Sequence, residues 1–467
     1  MPRVKFAVQS YESRSLPLSA QKLVNFYAEA APEDAHTQAA LFGTPGLKLF
    51  ATVGVGPIRG MIEMDELLFV VSGGRIFSVG STGLVNLIGD IGGTAPVDMV
   101  HNGEQIFVRT GGDDTDSYIV TTTTVTQISD ADFVGASSVT YQDGFFIYTE
   151  TDSGRFYISA SDDGTSWDAL DFATAEGDPD DAVRIFSDHR ELWVFGRKSV
   201  EIWYNSGEAD FPFARASGAY LERGLGAAGS VAKVDNTVFW LGDNRIVYRA
   251  EGYTPKRISN HGIEALLTGY DSISDVRAFE YSQEGHQFYV LTKPDEFTVV
   301  YDVATGYWHH RKSLNRNDWR AHEHAFVYGK NIVGDAVNGK LYELDLDTFD
   351  EDGDALISTA ITPALWGETN RTVMSRFQVD MEAGVGLTDG QGDDPQMMLR
   401  WSNDGGRTWS NELWASMGKK GEYKQSAEWR RLGMFERRVM EVSISDPVKR
   451  VLLGGYADFV EGRGSSG

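Results

Sequence analysis

Residues 191–198 read ELWVFGRK, an apolar run rich in β-branched and aromatic side chains that lies between polar turns. Its apolar residues are consecutive instead of alternating, which indicates a strand buried on both faces. Five similar runs occur along the chain: ELLFVVSG from Glu66, QIFVRTGG from Gln105, FFIYTETD from Phe145, TVFWLGDN from Thr237 and QFYVLTKP from Gln287. Small twisted sheets packed around an axis bury strands in this way, so the runs predict the blades of a β-propeller.

The repeating unit sets the number of blades. Its opening strands are predicted to begin near Ile58, Val97, Ser138, Val183, Ser230, Val276 and Glu323. This spacing of roughly 40 to 47 residues is typical of four-stranded blades. Seven blades are expected, and six remain possible if one repeat is irregular. The seventh unit is too short for four strands before the acidic stretch at Asp345. We therefore predict that the isolated strand GLKLFATVG, from Gly46, completes it and closes the ring.

The pattern changes after Leu344. The segment DLDTFDEDGD is acidic and rich in turn residues, and residues 357–460 form longer runs that begin at Arg376, Gln396, Arg437 and Arg450. These runs predict an antiparallel β-sandwich. We expect an all-β chain with an N-terminal arm at 1–45, a propeller at 46–345, and an acidic hinge with a C-terminal sandwich at 346–467. The arm segment SAQKLVNFYAEAAP fits a helix or an extended strand, and arm and sandwich together are predicted to form a platform.

Composition excludes several classes of function. The 68 acidic and 42 basic residues give a net charge of -26, which argues against an extended grip on phosphates. The same charge is explained equally well by solubility. The absence of cysteine excludes disulfides, thiolate metal sites and thiol nucleophiles. The sequence has neither a long apolar span nor a secretory signal pattern, so no membrane partner is expected.

Two turns match the pattern known as the Asp box. The first is SDDGTSW, with Ser161, Asp163, Gly164, Ser166 and Trp167. The second is SNDGGRTW, with Ser402, Asp404, Gly406, Thr408 and Trp409. In such a turn the carboxylate accepts backbone N–H groups, glycine supplies a positive φ, and tryptophan fixes the loop to its sheet. The motif predicts a folding device and no catalytic centre.

Two parts of the sequence contain candidate metal ligands. His322 and His324 alternate along a strand and would make half of a zinc or nickel site, but further ligands are not found, as is also true for His309 and His310. The aspartates of the connector have a density that suits calcium without the spacing of an EF-hand: Asp345, Asp347, Asp350, Asp352 and Asp354. A solvated, self-repelling hinge is favoured there, and the segment DPDDA from Asp178 is interpreted in the same way.

Motifs for nucleophilic, phosphate-binding, metalloprotease and dinucleotide-binding chemistry are absent from the sequence. Paired carboxylates are so frequent in this acidic chain that choosing two as general acid and base would be arbitrary. We therefore expect no cofactor, no bound metal and no enzymatic activity.

Four stretches resemble a known family: LVNFYAEAAPEDA from Leu23, LFGTPGLKLFATVGVGPIRGM from Leu41, VRIFSDHRELWVFGRKSVEIWYNSG from Val183, and GKLYELDLDTFDEDG from Gly339. Together they are similar to the packaged-DNA stabilization proteins of short-tailed bacteriophages, also called tail hub or nozzle proteins. The positions that carry the likeness are Asn25, Tyr27, Glu29, Thr44, Pro45, Gly46, Leu47, Gly56, Arg59, Gly60, Leu192, Trp193, Glu201, Trp203, Tyr204 and Gly207.

The resemblance implies a structural protein of the virion tail that is made in the host cytoplasm. It implies a homohexameric ring below the portal and the head-to-tail adaptor, which continues the DNA channel and retains the packaged genome. It further implies contacts with a tailspike or tail fibre and with a tail needle or plug, while DNA passes through without sequence-specific binding.

The residues themselves place two constraints on such a ring. A propeller's own central hole is narrow or filled by side chains, so a DNA conduit has to lie between subunits in heterologous contact. Six copies carry about 156 formal negative charges. If many of them line the bore, they repel phosphates and let the duplex slide.

Two other functions remain open at this stage. The Asp boxes and tryptophans also suit a glycan-binding or sialidase-like propeller, although sialidase chemistry needs clustered arginines and the arginines here are scattered. A monomeric propeller that binds other proteins is the second alternative.

Overall fold

The computed structural model of the chain describes residues 3–31, 39–112, 116–175, 177, 180–366 and 371–461. Over these ranges strands predominate, with one α-helix at His261–Thr268 and one 3-10 turn at Ala228–Ser230. In the same ranges no helix is long and apolar enough to span a bilayer. The all-β class predicted from the sequence is confirmed.

Seven four-stranded antiparallel blades are present in the described residues. Blade 1 consists of Ile58–Met64, Leu67–Ser72, Arg75–Val79 and Val85–Asp90. Blade 2 consists of Asp98–His101, Ile106–Arg109, Ser117–Val120 and Val125–Gln127. Blade 3 consists of Ala136–Gln142, Phe145–Glu150, Arg155–Ala160 and Asp163–Thr174. Blade 4 consists of Ala182–Asp188, Glu191–Gly196, Val200–Asn205 and Phe213–Leu221. Blade 5 consists of Ala232–Val234, Thr237–Leu241, Val247–Glu251 and Thr254–Arg257. Blade 6 consists of Arg277–Gln283, His286–Lys293, Phe297–Asp302 and Tyr307–Arg311.

Blade 7 draws on two distant parts of the chain. Its first three strands are Ala321–Val327, Lys330–Asp335 and Lys340–Asp345, and its fourth strand is Gly46–Thr52. The register runs from Lys340 opposite Thr52 to Asp345 opposite Gly46. The predicted closing strand is therefore confirmed, and each blade opens within two residues of its predicted start.

The core of the propeller lies between neighbouring blades. The ring of Phe195 in blade 4 meets that of Trp240 in blade 5 at 5.9 Å, and Phe239 meets Tyr289 of blade 6 at 5.5 Å. Each second strand contributes to the clusters on both of its sides, which explains its consecutive apolar residues. The blades therefore stabilise one another face to face, and none has a complete core of its own.

Two facing sheets form the sandwich. In sheet A the order is Phe26–Ala30, Ala39–Gly43, Val451–Glu461, Thr372–Met381 and Ala427–Arg430, with Arg3–Val4 and Met434–Phe435 at its margins. In sheet B the order is Ala20–Val24, Ser358–Ile361, Arg437–Ile444, Gln396–Ser402 and Leu413–Ser416, with Tyr11–Glu12 and Leu365–Trp366 at its margins. Side chains of both sheets, such as Phe377 and Leu399, share one buried core.

The N-terminal segment is built into both sheets of the sandwich. The stretch SAQKLVNFYAEAAP, which periodicity left undecided between helix and strand, forms Ala20–Val24 in sheet B and Phe26–Ala30 in sheet A. Leu23 and Phe26 are fully buried in the sandwich core. Val24 also pairs with His310, so sheet B continues into blade 6.

A short hairpin of Asp350–Glu351 and Asp354–Ala355 links the two units. Glu351 pairs with Leu47 of the closing strand, so the connector is joined to blade 7.

Candidate functional site

Asn25 lies where blade 6, the connector and the N-terminal strands meet, a region called the junction below. Its Nδ2 donates to the carbonyl oxygens of Lys312 at 2.9 Å and Ile357 at 2.8 Å, and its Oδ1 accepts from the Lys312 N–H at 3.0 Å. Its own carbonyl oxygen accepts from the Thr44 N–H and the Ser358 hydroxyl, both at 3.1 Å. The residue has a φ of 53°, a left-handed conformation that asparagine tolerates well. One buried side chain thus ties three segments together.

Tyr27 packs the N-terminal strand against blade 6. Its ring meets His286 and Phe288 edge-on, at 5.2 and 5.6 Å. The hydrogen bond to Asp302 raises the pKa of His286, whereas burial lowers the pKa of His309 to about 3 and keeps that ring neutral. Asp302 therefore fixes the ring of His286, whereas His309 acts as a neutral packing group.

Pro45 and Gly46 fix the start of the closing strand. The carbonyl oxygen of Pro45 accepts a 2.9 Å hydrogen bond from the buried guanidinium of Arg311, which stacks on Trp319 at 3.6 Å. A Cβ at Gly46 would lie 2.3 Å from the carbonyl oxygen of Thr348, so the close approach requires glycine. The same oxygen accepts the Gly46 N–H at 2.9 Å.

The remaining family-like positions divide into buried and exposed groups. Trp193 is buried between blades 4 and 5, and Trp203 between blades 3 and 4 with its Nε1 donating to Glu201 at 3.1 Å. Tyr204 is 45% exposed, and Glu29 also faces solvent. The buried positions maintain packing, whereas the two exposed ones are free to meet a partner.

Four charged side chains converge on the axis of the propeller. Asp98 of blade 2 forms an ion pair with Arg184 of blade 4, and Arg277 of blade 6 forms one with Glu323 of blade 7. Blades 2 and 4 are not neighbours, so the first pair has to cross the space inside the ring. The two pairs also interact, because Glu323 experiences the charge of Asp98. The propeller axis is therefore occupied by side chains.

The two carboxyl groups on the axis respond oppositely to their surroundings. Burial raises the pKa of Glu323 to about 7, although the Arg277 guanidinium opposes the shift. Burial also acts on Asp98, but the cations of Arg184 and Arg109 outweigh it and hold the pKa of that carboxyl below its usual range. At neutral pH the axis therefore holds one firmly ionised carboxylate and one that titrates.

Glu323→Gln is expected to remove a pH-dependent component of stability. Between pH 4.5 and about 7 the folded chain keeps a proton on Glu323 that the unfolded chain has released, so stability falls as pH rises through this window. Relative to wild type, the variant should gain on the order of 2 kcal/mol in unfolding free energy between about pH 5 and pH 8. Urea unfolding across that range measures this, and a constant difference between the two proteins would contradict the assignment.

The turn at residues 402–409 is held by the carboxylate of Asp404. Its Oδ1 accepts the N–H groups of Arg407 and Thr408 at 2.9 Å and the hydroxyl of Ser402 at 2.6 Å, while Oδ2 accepts the hydroxyl of Thr408 at 2.6 Å. These hydrogen bonds, from Ser402 first, hold the pKa of Asp404 well below its usual range. Gly406 has a φ of 100°, which favours glycine. Trp409 packs in a small cluster on the outer face of sheet B.

The turn at residues 161–167 differs in the part played by glycine. The Oδ1 of Asp163 accepts the N–H and hydroxyl of Thr165 at 3.0 and 2.7 Å, and the Trp167 Nε1 donates to the Gly164 carbonyl at 2.9 Å. Gly164 has no positive φ, contrary to the expectation from the motif; Asp162 takes that conformation instead. Glycine is required because a Cβ would lie 2.5 Å from the Ile119 Cδ1.

Asp404→Ala is expected to lower the thermal unfolding midpoint of the sandwich, because four hydrogen bonds to one carboxylate are lost. Since the folded pKa is depressed, this stabilisation is present at neutral pH and disappears as pH falls through the folded value. The wild-type and variant midpoints should therefore converge in acid. Calorimetry with Asp163→Ala as the matched control, expected to shift its unfolding less, tests this; equal shifts in both turns would contradict it.

The candidate metal-binding groups have separate protein partners. The Nε2 of His322 lies 2.9 Å from Asp318, and that of His324 lies 3.0 Å from Asn331. Among the residues with described positions, no cluster of three or more possible ligands occurs. His309 pairs on the strand with Val300, and His310 with Val299. The structure does not bring the four histidines into one site.

The connector aspartates are also held locally. Asp352 pairs with Lys340, Asp354 pairs with Arg320 at 3.0 Å, and Asp345 accepts the Thr348 hydroxyl at 3.0 Å. The N–H groups of Asp347 and Gly353 donate to Asp345 and Asp350, respectively. These partners fix the segment, in contrast to the self-repelling hinge expected from its charge. In DPDDA, residues 178 and 179 lie outside the described ranges, and Asp180 accepts the Lys198 N–H at 2.6 Å.

Sequence reasoning missed the four residues on the axis and the buried Arg311. For three of the axis residues the sequence did contain a pattern, because Asp98, Arg184 and Arg277 each follow the valine that marks the start of a blade. Arg311 had no such pattern, because its burial depends on contacts with distant segments.

Comparison with known proteins agrees with this architecture. The family model described as bacteriophage P22 Gp10, beta-propeller, matches residues 9–349, and the model described as bacteriophage P22 Gp10, beta-sandwich, matches residues 358–458. The resemblance recognised in the sequence is thereby confirmed. None of the curated proteins matches the chain.

Three solved structures share low sequence identity with the chain. The computationally designed Ika8 protein is 10% identical with a TM-score of 0.40, over 64% of this chain and 99% of its own. The Pan2 WD40 domain of Neurospora crassa is 7% identical with a TM-score of 0.43, over 64% and 96%. BamB of Moraxella catarrhalis is 10% identical with a TM-score of 0.37, over 73% and 99%.

Proposed function

The chain belongs to the bacteriophage P22 Gp10 family, structural proteins of short-tailed phage tails, and from this we propose that it is a tail hub. In this proposal six copies form a closed ring below the portal and the head-to-tail adaptor. The ring continues the DNA channel and keeps the packaged genome in the head.

The side chains on the propeller axis support the proposed position of the DNA channel. The pairs Asp98–Arg184 and Arg277–Glu323 take up the space inside the propeller, and partly buried ion pairs of this kind are costly to break. A duplex therefore has to pass between copies and not through one. Heterologous contacts that close on themselves provide such a passage.

The distribution of charge supports a repelling channel wall. Residues 46–345 contain 44 acidic and 24 basic side chains, whereas residues 371–467 contain 14 of each. The excess negative charge thus belongs to the propeller and the connector. We propose that propeller surfaces line the bore and repel phosphates, within the roughly 8 Å range that screening allows at physiological salt. A basic bore in the assembled ring would exclude this part of the proposal.

The sandwich, with its N-terminal strands, is proposed as the platform that faces the adaptor. The propeller then projects away from the head and offers its surface to a tailspike or fibre and to a needle or plug. Removal of residues 1–30 is unsuitable as a test, because Leu23 and Phe26 belong to the sandwich core. Substitutions at exposed positions are required instead.

Complementation tests the function. Phage that lack the gene are grown in cells that supply the chain, and the particles are analysed for the protein and for DNA retained after purification. We expect particles without the chain to lose their DNA and particles with it to retain their DNA. Full retention without the chain would refute the hub proposal. Turnover of sialylated or other glycan substrates by the purified chain would favour the glycan-processing alternative.

A further inference from the structure

Leu170 projects from the rim of the propeller between two carboxylates. It lies on the outermost strand of blade 3, Asp163–Thr174, and is 81% exposed. Asp168 and Asp171 flank it, and its N–H donates to Asp168 at 2.9 Å, which fixes the local conformation. Single exposed apolar residues are common on protein surfaces. A specific contact by Leu170 requires a complementary site elsewhere on the chain.

Such a site lies between the propeller and the sandwich. A cleft of about 570 Å³ separates the loop at residues 312–317, which follows blade 6, from the outer face of sheet B. Its apolar lining includes Val24, Leu314, Ile357 and Ile361, and its charged lining consists of Lys22, Lys312, Arg316, Arg400 and Glu441. A cleft of this size lies within the range of binding pockets, roughly 300–1,000 Å³.

The cleft is cationic although the chain as a whole is acidic. Four cations and one carboxylate line it, in a chain with a net charge of -26. Three of the four cations already have a carboxylate partner: Arg400 has Glu441, Arg316 has Asp318 at 2.8 Å, and Lys22 has Glu12 at 2.8 Å. Lys312 forms no ion pair within the described ranges and is exposed. An apolar group flanked by carboxylates therefore matches both the lining and the charge of the cleft.

The two features are placed for contact between copies. Leu170 belongs to blade 3, whereas the cleft adjoins blade 6, so they lie on nearly opposite sides of a seven-bladed ring. A contact between different surfaces on opposite sides is heterologous, and repeated contacts of this kind build a ring if the rotation closes. A self-complementary patch would instead produce only a dimer.

We propose that Leu170 of one copy, with Asp168 and Asp171, inserts into the cleft at residues 312–317 of the next copy and sets the contact that closes the ring. The inference rests on the proposed hub function and names the interface of that ring. Leucine packs on Val24, Ile357 and Ile361, and the two carboxylates face Lys312, the lining cation without an ion pair in the described ranges.

Because the chain has no cysteine, a thiol cross-linker can join copies only through cysteines that are introduced. Leu170→Cys and Asn317→Cys are combined in one chain, supplied to phage that lack the gene, and treated in purified particles with a short thiol cross-linker. A heterologous contact yields a ladder of multimers, whereas each single variant yields dimers at most. The pair Leu84→Cys with Asn317→Cys is the matched control, since Leu84 is also exposed, at 65%, but lies on blade 1. Absence of a ladder from the Leu170 pair, or an equal ladder from the control, overturns the proposal.

Charge reversal gives a second readout. Asp171→Lys should reduce the copies per particle at least tenfold without changing thermal unfolding, because it places a cation against Lys312, and Lys312→Glu in the same chain should restore most of the loss. Normal incorporation of Asp171→Lys, or failure of the second change to rescue it, overturns the interface. If the wild-type chain itself is absent from particles, the hub function fails instead.

Discussion

Leu47→Ala is expected to lower the free energy of unfolding of the propeller by about 3–4 kcal/mol, the usual cost of emptying a fully buried leucine site. Leu47 is completely buried in a cluster that includes Val333 and Tyr342 of blade 7. Its carbonyl oxygen also accepts the Asp352 N–H at 2.9 Å. Because this strand precedes blade 1 in the chain and completes blade 7, we expect the whole propeller to unfold at lower denaturant concentration.

Leu49→Ala provides the control on the same strand. Leu49 is 46% exposed, so its truncation should change stability by no more than about 0.5 kcal/mol. Urea unfolding followed by tryptophan fluorescence measures both variants. Similar losses from Leu47→Ala and Leu49→Ala would show that the strand does not close the ring as described.

Asn25→Asp should destabilise the junction by about 3–5 kcal/mol at neutral pH. The substitution replaces the amide that donates to the carbonyl oxygens of Lys312 and Ile357 with a carboxylate oxygen that they repel. A buried, unpaired charge carries a penalty of this size. The introduced carboxyl should have a raised pKa, so the loss of stability should shrink as pH falls and the group becomes protonated.

Asn102→Asp is the matched control for that change. Asn102 also donates through Nδ2 to a carbonyl oxygen, that of Asp162 at 3.2 Å, but it lies at the surface. Its substitution is expected to cost less than about 1 kcal/mol. Chemical unfolding at about pH 4 and pH 7 distinguishes the two. An Asn25→Asp protein whose deficit is independent of pH would contradict the described orientation of the amide.

The blades were predictable because one property repeats along the chain. Runs such as ELWVFGRK at 191–198 and TVFWLGDN at 237–244 keep their apolar residues consecutive, since both faces of these strands are covered by neighbouring blades. The closing strand could be inferred by counting strands, because the seventh repeating unit is too short to contain its fourth strand.

The structural features that the sequence did not predict depend on contacts between residues far apart in the chain. The stretch from Ser19 to Pro32 has no clear period because its two strands join different sheets, and Val24 even pairs with blade 6. Gly164 matches a motif locally, yet the side chain of Ile119 decides why glycine is needed. The axis residues and the cleft at 312–317 likewise arise only when separate blades and the sandwich are brought together.

The closing of blade 7 by Gly46–Thr52 has a consequence for biosynthesis. This strand has to wait for Lys340–Asp345, almost 300 residues later, which at about 5–20 residues per second takes on the order of 15–60 s on the ribosome. Sheet A waits longer still, because its central strand Val451–Glu461 is made more than 400 residues after Phe26–Ala30. Many strand pairings thus join distant parts of the chain, and we expect folding to be slow. Until then the emerging chain exposes unpaired strand edges, which makes it a natural client for chaperones.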